Sequence, residues 1–263
     1  MNRPCVLVFA GMDPSGGAGI QADILAISAM GAHPLPVVTV LTAQDNDRVF
    51  SVHPVAPSLL LQQTQPLMDK FDIAAVKIGI VGNRDNAEAI ARIVRKLRLQ
   101  RPDIPVVLDP VLASGHGDPL AAEDAMLSIA SLLRIATIVT PNVPEAIALS
   151  GGDRRTDSQA EFLLTHGCRN VLIKGGHAAD EKVINRWFTE YQSRSWIWPR
   201  LPGTFHGSGC TLAAALAALL ARGKSMAEAL EQSQAYCHQT LAGAYSIAEG
   251  QSIPDRLAAR GKE

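Results

Sequence analysis

Short aliphatic runs alternate along this chain with longer amphipathic stretches, and no other feature narrows its fold as much. Buried strands followed by helices with one apolar stripe build a parallel sheet wrapped by helices. Strands are predicted at residues 6–10, 36–41, 75–78, 106–108, 137–139 and 170–174. Helices are predicted at about residues 18–30, 59–70, 84–97, 121–133, 143–149 and 158–166. A late pair of runs, residues 182–189 and 194–198, reads as an antiparallel hairpin added to the sheet edge. Two helices close the chain at about residues 209–221 and 226–248, the second opened by Ser225 with Glu228 at capping-box spacing. No Pro- or Ser-rich linker and no internal repeat divides the 263 residues, so we expect one α/β domain.

Composition removes several classes of function. Lys+Arg number 24 against 25 Asp+Glu, and 47% of the residues are hydrophobic. That balance supports a full core, excludes intrinsic disorder and lacks the basic excess that a nucleic-acid partner requires. The longest apolar helical run, residues 212–221, breaks at Arg222 and falls short of the roughly 20 residues that cross a bilayer. No small-residue cleavage site follows a longer apolar region near the start, so a cytoplasmic protein with no membrane partner is expected. Cys5, Cys168, Cys210 and Cys237 are scattered without a CxxC pair, which argues against zinc and disulfides alike.

In an open α/β sheet the ligand sits outside the carboxyl ends of the strands. Here those ends are polar and glycine-rich, and the strongest signal is His206-Gly207-Ser208-Gly209-Cys210-Thr211, where an irregular segment enters an alanine-rich helix. Glycines let the backbone N–H groups of Gly207, Ser208 and Gly209 converge, and the helix start adds its positive dipole end. Such an anion hole suits the charge that develops on a phosphoryl group during transfer. Cys210, placed at that helix start, is expected to have a lowered thiol pKa and to be able to act as a base. A helix start with a buried structural cysteine is the plainer reading, and the local sequence leaves both open.

The loop Gly11-Met12-Asp13-Pro14-Ser15-Gly16-Gly17-Ala18-Gly19 lacks both the Walker ending and the GxGxxG spacing. It is either a tight strand-to-helix turn or a loop whose backbone approaches a small substrate, with Asp13 and Asp23 as acceptors. Gln44 offers a donor and an acceptor to one heterocyclic edge, or is a solvated loop residue. Asp109, Asn142 and Glu145 form the hard-ligand set by which Mg²⁺ and its waters are held against nucleotide phosphates. Glu145 has an alternative role at the N-terminus of the helix after Pro144. Lys174 brings a positive charge toward phosphates or is an exposed turn lysine. His177 and His206 lack trustworthy metal-ligand spacing, and His116 between glycines reads as a solvated loop residue. Trp187, Trp196 and Trp198 read as packing in the hairpin.

Together these segments resemble the hydroxymethylpyrimidine/phosphomethylpyrimidine kinases of thiamine biosynthesis, within the ribokinase-like superfamily. The resemblance covers nearly the whole chain. It is carried by residues 10–23, by Thr39 through Gln44, by Lys77-Ile78-Gly79, by Leu108-Asp109-Pro110-Val111, and by Thr140-Pro141-Asn142 with Glu145. It continues in Lys174-Gly175-Gly176-His177 and in residues 206–211. It implies a ribokinase-like fold, a homodimer, ATP with Mg²⁺, and two successive phosphorylations of 4-amino-5-hydroxymethyl-2-methylpyrimidine. By position, Gln44 matches the glutamine that recognises the aminopyrimidine, and the loop from Gly11 to Ala18 matches a wall of its pocket. Cys210 matches the cysteine that stands where sugar kinases place an aspartate base, with Gly207, Ser208 and Gly209 as the anion hole. Asn142 and Glu145 match an Asn-x-x-Glu element associated with Mg²⁺ and phosphate, with Thr140 beside it, and Lys174 matches a lysine of the nucleotide side.

The chain departs from the family pattern at Phe205, at Ser208 in place of threonine, at Ile80 in place of methionine, and at residues 112–117. Serine keeps the hydroxyl at the anion hole, whereas Phe205 removes a polar group and the other changes touch the pocket wall and flap. Pyridoxal kinase is the nearest rival, because vitamin B6 kinases share the Lys-Gly-Gly-His element. A cysteine hydrolase using Cys210 with His206 and a silent pyrimidine-binding protein are rivals of other classes.

Overall fold

The computed structural model describes residues 3–112, 125–176 and 181–258. His116, His177, residues 113–117 of the altered loop and the expected helix start at residue 121 lie outside the described residues. Among those described, nine strands run in chain order: β1 Cys5–Met12, β2 His33–Gln44, β3 Val49–Pro54, β4 Ile73–Ile78, β5 Val106–Leu108, β6 Ile138–Val139, β7 Val171–Ile173, β8 Lys182–Phe188 and β9 Ser193–Pro199. The helices are α1 Gly19–Ala29, α2 Pro57–Lys70, α3 Arg84–Gln100, α4 Ala125–Leu133, α5 Val143–Leu149, α6 Thr156–Thr165, α7 Ser208–Ala221 and α8 Met226–Ala242.

All nine strands form one sheet in the order β3-β2-β1-β4-β5-β6-β7-β8-β9. From β2 to β7 every neighbour is parallel; β3 pairs antiparallel with β2, and the hairpin β8–β9 pairs antiparallel with β7. Strand β1 shows why the apolar runs are nearly continuous. Leu7 and Phe9 enter the core that holds Ile90, Val94 and Leu132, while Val6, Val8 and Ala10 enter the one that holds Ile27, Leu216 and Leu230. A strand buried on both faces cannot alternate apolar with polar residues. Helices α1, α7 and α8 supply the second core and α2 to α6 the first. The chain moves from β1 to β2 on one side and returns to β4 on the other, so the winding reverses at β1. A crevice opens at the strand ends beside such a reversal.

Helix α7 is central to the second layer. Ala213, Ala214, Ala215, Ala217 and Ala218 have no exposed surface, and these short side chains let the helix lie close against the sheet. Burying Leu216 beside them stabilises the fold by about 1.5–3 kcal/mol.

Three features differ from the sequence expectation. Strand β2 continues to Gln44, which is therefore a strand residue paired with Val49. Strand β3 was not expected, because none of its residues is buried and it ends in Pro54, so neither period nor burial marks it. Helix α8 stops at Ala242, where the Gly243 N–H caps the Gln239 carbonyl, rather than at Ala248. The chain then folds back: Tyr245 and Ile253 exchange backbone hydrogen bonds, and Ser252 bonds Thr204 and His206.

Candidate active site

The first glycine-rich loop is built around one carboxylate. Asp13 Oδ1 accepts from the Ser15 N–H at 2.8 Å and its hydroxyl at 2.7 Å, and Oδ2 accepts from the Ala18 N–H at 2.7 Å. His206 Nε2 lies 2.8 Å from the same Oδ2. Burial alone would raise the Asp13 pKa, but the hydrogen bonds from His206 and Ser15 bring it down to about 2. Gln44 completes the chain of contacts, its amide nitrogen 3.4 Å from His206 Nε2. With its Nε2 proton on Asp13, His206 offers Gln44 a donor and no acceptor, so the oxygen end of the interchangeable amide is the one that can bond it. His206, ambiguous in sequence, thus joins the acceptor loop to Gln44.

Gly207 caps α7 at φ 75, in the left-handed region that favours glycine. A Cβ there would also strike the Gly17 carbonyl and the Ala18 Cα, so the two glycine loops touch backbone to backbone. Ser208, Gly209 and Cys210 form the first turn of α7, whose N–H groups have no partners within the helix. The Cβ absent from Gly209 would lie 3.0 Å from Lys174 Nζ and 3.6 Å from Asp109 Oδ2. The start of α7, the lysine and the carboxylate therefore share one corner.

That corner is densely charged. Lys174 Nζ donates to Asp109 Oδ1 at 2.7 Å, and the Thr140 hydroxyl donates to the same oxygen at 3.0 Å. Burial would raise Asp109, but Lys174 and Lys77 together hold it below the ordinary carboxylate range. Asn142 and Glu145 form a capping box at α5: Asn142 Oδ1 accepts from the Glu145 N–H, and Glu145 Oε2 accepts from the Asn142 N–H, both at 2.8 Å. The dipole role weighed for Glu145 is thus present. Burial pushes Glu145 up to about 7, Lys174 opposing it. Behind these lies Lys77, fully buried on β4 and bonded to Asp23 at 2.8 Å. Asp23 Oδ1 has no hydrogen-bond partner, and burial pushes that carboxyl up to about 6 while Lys77 remains charged.

Cys210 corrects the sequence expectation of a lowered thiol pKa. Burial first, and then the carboxylates Asp23 and Asp109, push it up to about 11, against the opposing pull of Lys77 and the Gly19 N–H. The dipole at one helix start does not offset that environment, so the resting thiol is neutral. Among the described residues His206 makes no hydrogen bond to Cys210, and the hydrolase reading has no dyad to stand on.

These groups face one cavity of about 490 Å³, within the usual range for small-molecule sites. Gly11, Asp13, Ala18 and Gln44 line one end, and Asp109, Asn142, Glu145, Lys174 and residues 207–210 the other. Asp23 and Thr140 are not on the wall; each supports a charged group that is. Among the described residues no group of three or more His, Cys, Asp or Glu could cage a metal ion. Two carboxylates on the wall, Asp109 and Glu145, match in number and kind the one or two by which Mg²⁺ is commonly held together with waters and substrate phosphates. Trp187 and Trp196 pack as expected, but Trp198 reaches the cavity, its ring centroid 5.2 Å from that of His238. Lys77 was legible as the one charge in the run Ile-Ala-Ala-Val-Lys-Ile, although it was not singled out as a site residue.

Residues 13–255 match the family model described as phosphomethylpyrimidine kinase. The chain belongs to that family. A phosphomethylpyrimidine kinase relative from Escherichia coli (strain K12), named hydroxymethylpyrimidine/phosphomethylpyrimidine kinase, is 38% identical over 96% of each chain. The thiamine biosynthesis bifunctional protein ThiED of Geobacter sulfurreducens is 34% identical over 94% of this chain and 51% of that longer protein. Among solved structures, the ADP complex of Bacillus subtilis pyridoxal kinase superposes with a TM-score of 0.88 at 26% identity, covering 99% of this chain and 100% of that one. The fold is accordingly the ribokinase-like α/β fold of the phosphomethylpyrimidine kinases and their pyridoxal kinase neighbours. No helix among the described residues is long and apolar enough to cross a membrane.

Proposed function

We propose that this cavity phosphorylates 4-amino-5-hydroxymethyl-2-methylpyrimidine with ATP, and then phosphorylates the monophosphate, as a step of thiamine biosynthesis. One observation carries the reading: Gln44 and the glycine-rich helix start read as an anion hole, Gly207 to Gly209, line a single cavity in a chain of this family. The Gln44 amide reads the amino and ring-nitrogen edge of the pyrimidine, steadied by His206, whose own ring is held by Asp13. The backbone from Gly11 to Ala18 forms the wall against which the ring lies.

Elsewhere on the wall, the N–H groups of residues 207–209 and the Lys174 ammonium neutralise charge on the transferred phosphoryl group, and Asn142 belongs to the nucleotide side, with Thr140 behind the wall holding Asp109. Phosphoryl transfer needs positioning and charge stabilisation more than covalent help. Mg²⁺, when bound with ATP, supplies further positive charge to the phosphates, and Asp109 Oδ2 and Glu145 are the side chains placed to hold it or its waters. In its thiolate form, which the Lys77 ammonium stabilises, Cys210 takes the proton of the hydroxymethyl group and becomes the neutral thiol. A homodimer in the cytoplasm completes the reading; the exposed Met12, Leu41 and Phe50 on β1 to β3 offer apolar surface for a second copy.

Pyridoxal phosphorylation is the second reading, favoured by the close superposition on the Bacillus subtilis enzyme. ADP release from Mg-ATP with the pyrimidine, its monophosphate and pyridoxal in parallel separates the two. Turnover on both pyrimidines is expected, whereas turnover on pyridoxal alone would replace the first reading by the second.

A further inference from the structure

Arg256, near the end of the described chain, heads the fully buried side chains by size, at 2% exposure. Its Nε donates to Thr211 Oγ1 at 2.8 Å, and Nη2 donates to the Gly17 carbonyl at 2.6 Å. The same Nη2 lies 3.4 Å from the His206 carbonyl and 3.5 Å from that of Gly207. The arginine is held in turn, since the Tyr236 hydroxyl on α8 donates to its carbonyl at 2.9 Å. It has no ion-pair partner among the described residues, and Nη1 has no hydrogen-bond partner.

A buried cation without a carboxylate is a poor way to stabilise a fold, and an apolar side chain of similar volume would do so at lower cost. What the guanidinium supplies instead is geometry. Its planar fork presents several fixed donors, and here they gather carbonyls from two separate loops. Gly17 belongs to the acceptor loop; His206 and Gly207 lead into the anion hole, and Thr211 bonds back to the Gly207 carbonyl at 2.8 Å. Those loops touch where Gly207 leaves no room for a Cβ against Gly17 and Ala18. The charge also acts favourably on Asp23 and on an ionised Cys210.

We propose that Arg256 is a positioning residue for phosphoryl transfer: by clamping the Gly17 carbonyl to the start of α7, it sets the distance between the acceptor pocket and the anion hole. The proposal rests on the reading of residues 207–209 as that hole. Arg256 touches neither the cavity nor a reacting atom, so its loss acts on alignment and leaves both substrates able to bind.

Arg256→Ala and Arg256→Lys are compared with the unaltered chain for kcat, both KM values, ADP affinity by calorimetry and thermal melting. Arg256→Ala is expected to lower kcat about 100-fold, the scale of a small misplacement, with both KM values and ADP affinity retained. Guanidinium ion at millimolar concentration should restore part of that turnover in a saturable manner. Arg256→Lys keeps the charge without the fork and should also lose kcat; it serves as the test if Arg256→Ala does not fold. Undiminished kcat in a folded variant, a loss confined to KM, or a loss in folded Arg256→Ala that guanidinium does not relieve would overturn the proposal. Gly209→Ala separates the two levels of inference. If it retains full turnover, the anion-hole reading fails; if it is inactive while Arg256→Ala is not, only the clamp fails.

Discussion

A thiol pushed up to about 11 is ionised in roughly one molecule in ten thousand at neutral pH. If Cys210 takes the substrate proton, kcat should therefore rise about tenfold per pH unit above neutrality until other groups intervene. Cys210→Ala should lower turnover by about two orders of magnitude and abolish that slope, while calorimetry still detects pyrimidine binding. A pH-independent kcat in the unaltered chain would remove Cys210 as the proton acceptor. Glu145 yields a second test at this scale. Its carboxyl is raised from 4.5 to about 7, so the folded state favours the protonated form. That stabilisation is complete below the unfolded pKa and is lost as pH rises through the folded one. Glu145→Gln keeps the capping-box acceptor and should stabilise the chain above pH 7 by up to about 3 kcal/mol, a gain that vanishes toward pH 4.5. Melting curves across that range check it, and an equal gain at both ends would contradict the assignment of the cost to ionisation.

At the scale of elements, the proposed function is concentrated at the start of α7. Gly207→Ala would force a left-handed φ on alanine, at about 1–2 kcal/mol, and drive a methyl group into the acceptor loop. Both melting temperature and kcat should fall, whereas Ser208→Thr, which restores the family residue, should keep both; a fully active Gly207→Ala would show that the loops need not touch. Farther along, Ala215→Leu should cost about 1–3 kcal/mol by overpacking a position with no free surface, with the loss read from denaturant unfolding. Elements with a continuous buried run, β1, β4, β5 and α7, or with a periodic buried face, α3 and the β8–β9 hairpin, were legible in the sequence. Those without either were not. Strand β3 buries nothing, and α8 ends at Ala242, capped by Gly243, ahead of the expected end at residue 248.

Across the whole molecule, polar strand ends meet, because the reversal of winding at β1 gathers them around one crevice. Gln44, Lys174, Asp109 and residues 207–210 were named from motifs and do meet there. What sequence could not supply were partnerships across the chain. Asp23 bonds Lys77 over 54 residues and Arg256 reaches Gly17 over 239, and no local pattern records such distances. The raised Cys210 pKa was missed for the same reason, since burial comes from elements far apart in the chain.

On the proposed reading, this one cavity adds two phosphoryl groups in succession. Incubation of the purified chain with Mg-ATP and hydroxymethylpyrimidine, with products identified by mass over time, tests it most directly. The monophosphate is expected first, then its conversion to the diphosphate, with both lost in Gly209→Ala. A chain that releases neither product, or whose Gly209→Ala variant forms both at the unaltered rate, would contradict it.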